Sequence, residues 1–161
     1  MSDLFYPSQN ALETRIPAPV IAVLIAVAMH LLSPVVEIGD GLAVVRKVML
    51  DLSWQLSGLC ALAAFFGFMR SRTTINPLKP ERASVLVTDG IYRYTRNPMY
   101  LSLLLLLLGY AVDLWCWPAL LGPAAYVAYI TRFQILPEER VLESKFGADY
   151  LAYKQKVRRW I

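Results

Sequence analysis

Four apolar runs, each close to the length of a membrane-crossing helix, constrain the fold of this 161-residue chain most strongly. A helix rises 1.5 Å per residue, so about 20 apolar residues cross the roughly 30 Å hydrocarbon core of a bilayer. The chain is 57% apolar, which is more than a soluble domain of this size needs to fill its core. The sequence therefore predicts an all-α, polytopic membrane bundle in a single domain, residues 1–161. The predicted spans are residues 18–36, 52–69, 98–117 and 118–136.

The polar segments set the expected orientation of these spans. The loop over residues 70–97 and the tail over residues 137–161 each carry six Lys or Arg residues. The positive-inside rule places both segments, and hence the N- and C-termini, on the cytoplasmic side. Arg46 and Lys47 fall on the opposite side and argue weakly against this topology. The stretch 42–50 around them is expected to be a short interfacial helix or an early start to the second span.

The tail has apolar residues at helical spacing opposite a basic face, which predicts a cytosolic helix. Gly147 is expected to break this helix. The helix would lie against the membrane or fold over a pocket. The residues that form the apolar face are Val141, Leu142, Phe146, Tyr150, Tyr153 and Val157.

Charge and composition exclude several functional classes. The formal net charge is +4, but the basic residues lie between apolar runs and do not form one polar face, so we do not expect a nucleic-acid partner. The chain has one histidine, and the spacing pairs it with no serine or cysteine, so a hydrolase triad is not expected. The two cysteines lack metal-ligand spacing, so no metal site is predicted. That histidine, His30, lies mid-span seven residues before Glu37. We expect it to hydrogen-bond a neighbouring helix.

Polar and aromatic residues cluster at the start of the third span, in the segment Gly-Ile-Tyr-Arg-Tyr-Thr-Arg-Asn-Pro-Met-Tyr over residues 90–100. A helix N-terminus offers free N–H groups and positive dipole to an anion. Arg93 and Arg96 add charge, and the tyrosines add ring faces. The segment would suit a ligand with a carboxylate and an aromatic or cationic part. The alternative is a basic cap with tyrosines anchored among lipid headgroups.

A second charged group lies where the fourth span meets the tail. Arg132 precedes Glu139 by seven residues, so an uninterrupted helix would set them on nearly the same face, unless Pro137 bends the path. Charges at this depth usually face an interior or a polar cavity. The alternative is an arginine that snorkels to phosphate, with Glu138 and Glu139 solvated.

With these residues in view, the chain resembles the isoprenylcysteine carboxyl methyltransferase family, specifically its short bacterial members. One anchor is the segment Leu86-Val-Thr-Asp-Gly-Ile-Tyr-Arg-Tyr-Thr-Arg-Asn-Pro-Met-Tyr-Leu-Ser102. It is similar to the family's Gly-Pro-Tyr-Arg-x-x-Arg-His-Pro-x-Tyr-x-Gly. The other is Pro137-Glu-Glu-Arg followed by Phe146-Gly-x-x-Tyr150-x-x-Tyr153, which is similar to the family's paired glutamates and aromatic tail.

The resemblance implies an all-helical membrane bundle, without a Rossmann domain, that binds S-adenosylmethionine at its cytosolic face. Arg132 and Glu138 would line the junction where a membrane-borne acceptor meets the methyl group, as the catalytic pair. The chain departs from the family pattern at Ile91 for Pro, Asn97 for His and Ser102 for Gly. The cofactor-binding residues that the resemblance implies are Tyr92, Arg96, Asn97, Pro98, Tyr100 and Glu139.

The expected function is therefore an integral membrane, S-adenosylmethionine-dependent methyltransferase in the bacterial inner membrane. Its acceptor would be a lipid or hydrophobic small molecule that enters from the bilayer and presents a carboxylate, thiol or amine. An amine or hydroxyl acceptor needs a base, for which Glu138 is the candidate. The alternative is a non-catalytic membrane scaffold or assembly protein that retains the fold.

Overall fold

The structure is a computed structural model that describes residues 16–34, 40–70 and 85–161. Within these ranges the regular structure is helical and contains no strand, which confirms the all-α prediction for this part of the chain. Glu37 and most of the loop before Val85 lie outside the described residues. The helices are α1 (Ala18–Leu32), α2 (Asp40–Arg70), α3 (Pro98–Leu114), α4 (Leu121–Ile130), α5 (Leu136–Phe146) and α6 (Ala148–Lys156). Short 3₁₀ turns cover Gly90–Arg93 and Trp117–Leu120, and a π turn covers Thr131–Ile135.

Helix α2 has the clearest membrane character in the described part of the chain. Its stretch Gly41–Gly67 is long and apolar enough to cross a bilayer, with a mean hydropathy of 1.4. Only 17% of its most apolar window is buried, whereas a helix in a soluble core would be mostly buried. Helices α1 and α3 are apolar but shorter. Since α2 begins before residue 42, the stretch 42–50 is the early start of this helix.

Small residues allow α2 and α3 to approach closely. The Ser57 hydroxyl donates a hydrogen bond to the Ser102 carbonyl at 2.8 Å, and the Cys60 thiol donates one to the Pro98 carbonyl at 3.1 Å. A Cβ added at Gly109 would lie 2.5 Å from the Ser53 Cβ, so only glycine fits there without movement. The α2 residues with these contacts to α3, spaced three or four apart, are Ser53, Ser57 and Cys60.

A core of apolar side chains joins α1, α3 and α4. The Tyr110 hydroxyl of α3 lies 3.0 Å from Nδ1 of His30 on α1, which confirms the expected hydrogen bond between this histidine and a neighbouring helix. At the same end of the bundle, Arg46 lies 3.6 Å from the Asp113 carboxylate, so the charge that opposed the predicted topology is balanced. Core residues include Ala18, Ile21, Met29, Leu107, Tyr126 and Ile130.

The tail forms a second core with the segment that precedes α3. Gly147 has a positive φ of 51° and separates α5 from α6, which confirms the predicted break. The tail packs against Val87 and Tyr92 of that segment. Its buried residues in this second core are Tyr150, Tyr153 and Val157, with Leu142 and Phe146 partly buried beside them.

The path from α4 to α5 is continuous through the π turn. The Leu136 N–H bonds the Thr131 carbonyl, an i to i−5 contact, directly before Pro137, which has no N–H to donate. A π turn adds a residue to the helical turn and so rotates the next helix, α5, about its axis. Arg132 is exposed while Glu139 is 5% exposed, and the π turn between them interrupts the regular helix on which the expected shared face depended.

Candidate active site

The start of α3 fixes the aromatic and basic segment. Asn97 is the N-cap residue and Pro98 occupies the first helical turn, where a proline loses no hydrogen bond. Tyr92 is buried, and its carbonyl accepts a hydrogen bond of 2.7 Å from the Tyr153 hydroxyl. Burial raises the pKa of the Tyr92 phenol above its ordinary value. These contacts tie the segment to the tail before any ligand is considered.

A buried carboxylate, Glu139, joins the segment to the tail electrostatically. Its Oε1 accepts a hydrogen bond of 2.9 Å from Nη2 of Arg96. Arg159 forms a two-bonded fork on the same group, with Nε to Oε1 and Nη2 to Oε2 both at 2.9 Å. The Glu139 side chain is 6% exposed and that of Arg96 is 7% exposed. Lys154 adds a further positive charge, with Nζ 3.8 Å from Oε2.

The ionisation of Glu139 follows from these contacts. Burial by itself would raise the pKa of its carboxyl. The hydrogen bonds from Arg159 and the positive charges of Arg96, Arg159 and Lys154 outweigh burial and hold the pKa below its ordinary value. Glu139 is therefore a carboxylate at neutral pH, surrounded by more positive charge than it balances.

Arg96 has hydrogen-bonding capacity that the described protein does not use. Its Nε and Nη1 are buried and have no hydrogen-bond partner among the described residues. A buried, unpaired donor carries the full desolvation cost of that group, which is larger still for a charged one. The two N–H groups therefore mark a place for an acceptor, and an anionic one by preference. The carboxylate of S-adenosylmethionine, the cofactor that the resemblance implies, fits this requirement.

Glu138 has a different environment from its neighbour. Its Oε1 accepts a hydrogen bond from the Tyr100 hydroxyl. Glu138 is half-buried as a residue, yet the protein around its carboxyl raises the pKa to about 8 by desolvation. The bond from Tyr100 lowers the pKa and the charge of Glu139 raises it further. Two adjacent carboxyls thus differ in charge near pH 7, an arrangement typical of acid–base sites.

The segment 157–161 runs across the start of α3. The Arg96 N–H donates to the Arg158 carbonyl at 3.1 Å, and the Asn97 amide donates to the Arg159 carbonyl at 2.9 Å. Trp160 Nε1 donates to the Thr131 hydroxyl at 3.3 Å. Arg159 was not among the residues predicted from the sequence. Nothing in the spacing separates it from Arg158, because both are consecutive basic residues of the tail.

The structure brings most of the predicted site residues together. Arg96 meets Glu139, and Tyr100 meets Glu138, across about forty residues of sequence in each case. Pro98 is fully buried at the start of α3. Arg132 is exposed, with its guanidinium carbon 5.4 Å from the centroid of the Phe133 ring.

Comparison with known proteins finds sequence similarity to methyltransferases. A sequence model of the phospholipid methyltransferase family matches residues 51–149. An uncharacterized protein of Haemophilus influenzae is 54% identical over 63 residues, which are 39% of this chain and 100% of that protein. Protein-S-isoprenylcysteine O-methyltransferase B of Arabidopsis thaliana is 34% identical over 91 residues, 55% of this chain and 45% of the relative. Protein-S-isoprenylcysteine O-methyltransferase A of the same plant is 36% identical over 98 residues, 59% of this chain and 48% of the relative. The matched regions span about half the length of these two plant relatives.

Proposed function

Because the chain belongs to the phospholipid methyltransferase family, we propose that it is an integral membrane methyltransferase that uses S-adenosylmethionine and methylates a lipidic or small hydrophobic acceptor. The observation that carries the proposal is Arg96, buried at the start of α3 with two N–H groups that no described residue satisfies. Packing alone gives no reason to bury a guanidinium whose N–H groups lack hydrogen-bond acceptors. A ligand carboxylate would supply the missing acceptor.

The membrane arrangement is part of the proposal. The exposed apolar surface of α2 supports a lipid-facing position for that helix, and the apolar helices α1 and α3 support further spans. We propose about four spans in the bacterial inner membrane, with both termini of this chain in the cytoplasm. The acceptor then reaches the site from the bilayer, and the water-soluble methyl donor reaches it from the cytosol.

The residues of the site have separate parts in binding the methyl donor. Arg96 would hold the carboxylate, and Glu139 would fix the orientation of Arg96. The Asn97 amide is already bonded to the tail. Together with Pro98, Asn97 would hold the first turn of α3 in place beside the cofactor. The faces of Tyr92 and Tyr100 would attract the positively charged sulfonium. S-adenosylmethionine supplies a methyl group on sulfur that is open to in-line attack, so the chain's main task is alignment.

Glu138 would act as the general base that takes a proton from the acceptor. Its carboxyl has a pKa of about 8, so it is mostly protonated at pH 7, and the ionised fraction that can act as a base grows as the pH rises towards 8. A thiol, amine or hydroxyl acceptor must lose a proton and would pass it to Glu138, while a carboxylate acceptor has none to lose. The two plant relatives are named for O-methylation of isoprenylcysteine, which supports a carboxylate among the candidates. Arg132, exposed at the same junction, would contact the acceptor's polar end.

The test is calorimetric binding of S-adenosylmethionine and S-adenosylhomocysteine to the detergent-purified chain. We expect micromolar binding by the wild type and about tenfold weaker binding by Arg96→Ala, since one charged contact is worth about 1.4 kcal/mol. Arg93→Ala is the matched control, because Arg93 lies in the same segment but is exposed and pairs with Asp89. A folded wild type that binds neither compound would contradict the proposal and favour a non-catalytic membrane protein.

A further inference from the structure

Arg159 contacts the site through Glu139 and has no part in the function proposed above. We propose that Arg159 is a positioning residue: by holding both oxygens of Glu139, it keeps the remaining N–H groups of Arg96 available to the carboxylate of the methyl donor. This inference rests on the proposed function and adds a residue to its site.

Glu139 is shared unequally between the two arginines. Arginine and carboxylate groups prefer a two-bonded fork, and Arg159 has that geometry on Glu139. Arg96 is left with one bond, from Nη2 to Oε1. If Arg159 did not occupy the fork, Glu139 could turn to form it with Arg96. One of the two unused N–H groups of Arg96 would then be consumed, and the anion site would be partly closed.

Hydrogen bonds to the segment that carries Arg96 fix the backbone of Arg159. Its carbonyl accepts hydrogen bonds from the Asn97 amide at 2.9 Å and from the Thr95 hydroxyl at 3.4 Å. The preceding carbonyl, of Arg158, accepts one from the Arg96 N–H at 3.1 Å. The backbone therefore aims the Arg159 side chain at Glu139.

Lys154, the other cation near Glu139, cannot replace Arg159. Its Nζ is 3.8 Å from Oε2, and it also pairs with Glu143. An ammonium is moreover a point charge without the planar fork of a guanidinium. The geometry of Arg159, and not merely its charge, distinguishes it.

The experiment uses the full chain in detergent and two ligands. S-adenosylhomocysteine carries the amino-acid carboxylate, whereas 5′-methylthioadenosine has the same nucleoside and a thioether but no carboxylate. We expect Arg159→Gln to weaken S-adenosylhomocysteine binding about tenfold, the scale of one charged contact, and to change 5′-methylthioadenosine binding less than about twofold. Arg158→Gln is the matched control, because Arg158 is exposed and contributes to the site through its backbone. It should bind both ligands as the wild type does.

Three results would overturn the inference. Arg159→Gln could bind S-adenosylhomocysteine as tightly as Arg158→Gln does, or it could lose affinity for both ligands equally, which would indicate a general loosening of the tail. If Arg159→Gln does not fold, Arg159→Lys carries the test, since it keeps the charge but not the fork. It should weaken the carboxylate ligand selectively, and equal weakening of both ligands would overturn the inference. A wild type that binds neither ligand is the third result, and it would remove the proposed function as well.

Discussion

Neutralising Glu139 tests whether the buried ion-pair network stabilises the fold. Glu139→Gln keeps the shape of the side chain but removes the charge that Arg96 and Arg159 share. Breaking a buried ion pair on one side costs about 3–5 kcal/mol, because the other charge stays buried without compensation. Arg96 is 7% exposed and meets that condition, whereas Arg159 is 32% exposed and can turn to water. We therefore expect the lower end of the range, about 3 kcal/mol.

The assay is thermal unfolding in detergent, followed by circular dichroism. For a chain of this length, 1 kcal/mol shifts the melting temperature by about 2–4 °C, so Glu139→Gln should melt about 6–12 °C below the wild type. Glu143→Gln is the control: that glutamate is 34% exposed and pairs with the partly exposed Lys154, an interaction worth about 0–1 kcal/mol. Two variants that melt within about 2 °C of each other would refute the reasoning, since the network would then be no stronger than a surface pair.

Three further substitutions test other parts of the structure. Burial raises the pKa of Glu138 from 4.5 to about 8, so between these values the folded chain retains a proton that the unfolded chain has released. The melting temperature of the wild type should therefore fall as pH rises across this window, whereas that of Glu138→Gln should not. Melting temperatures that change with pH in parallel for the two proteins would contradict this. Gly109→Ala places a methyl 2.5 Å from the Ser53 Cβ and should lower the free energy of unfolding by about 1–3 kcal/mol. Gly58→Ala is the control and should cost none, because nothing lies within 4 Å of the added methyl. Equal melting temperatures for the two variants would show that α2 and α3 separate freely. Asn97→His should bind S-adenosylhomocysteine with an affinity close to wild type, because an imidazole can donate the same hydrogen bond to the tail, and a calorimetric loss beyond about tenfold would show that the amide is specifically required.

Local signals in the sequence were sufficient for several features of the fold. Apolar runs predicted helices, Pro98 marked the start of α3, and Gly147 marked the break in the tail. His30 was expected to bond a neighbouring helix because a lone polar group within an apolar run needs a partner. Each of these features depends on a residue and its immediate neighbours in the chain, so it can be predicted from the sequence alone.

Features that depend on contacts between distant parts of the chain could not be predicted from local sequence patterns. The family resemblance assigned Arg96 and Glu139 to one site, but neither the resemblance nor their spacing predicted that they pair. Arg159 was missed because its role depends on where the tail crosses α3, which no local pattern of Lys and Arg encodes. A shared face for Arg132 and Glu139 would require i to i−4 bonding throughout the helix, and the π turn, which departs from that bonding, has no signature in the periodicity.

The π turn also makes the site more sensitive to a change in chain length than to many changes in residue identity. Deletion of one residue, for example Phe133, would let Thr131–Ile135 close as an ordinary α-helix. Each residue of an α-helix accounts for about 100° of rotation, so α5 would turn by roughly that angle about its axis. Both glutamates would remain in the chain, adjacent and chemically intact, yet Glu139 would swing away from Arg96. A homologous chain that keeps both motifs but lacks one residue of this turn would therefore need a compensating insertion in the same helical path to assemble the same site.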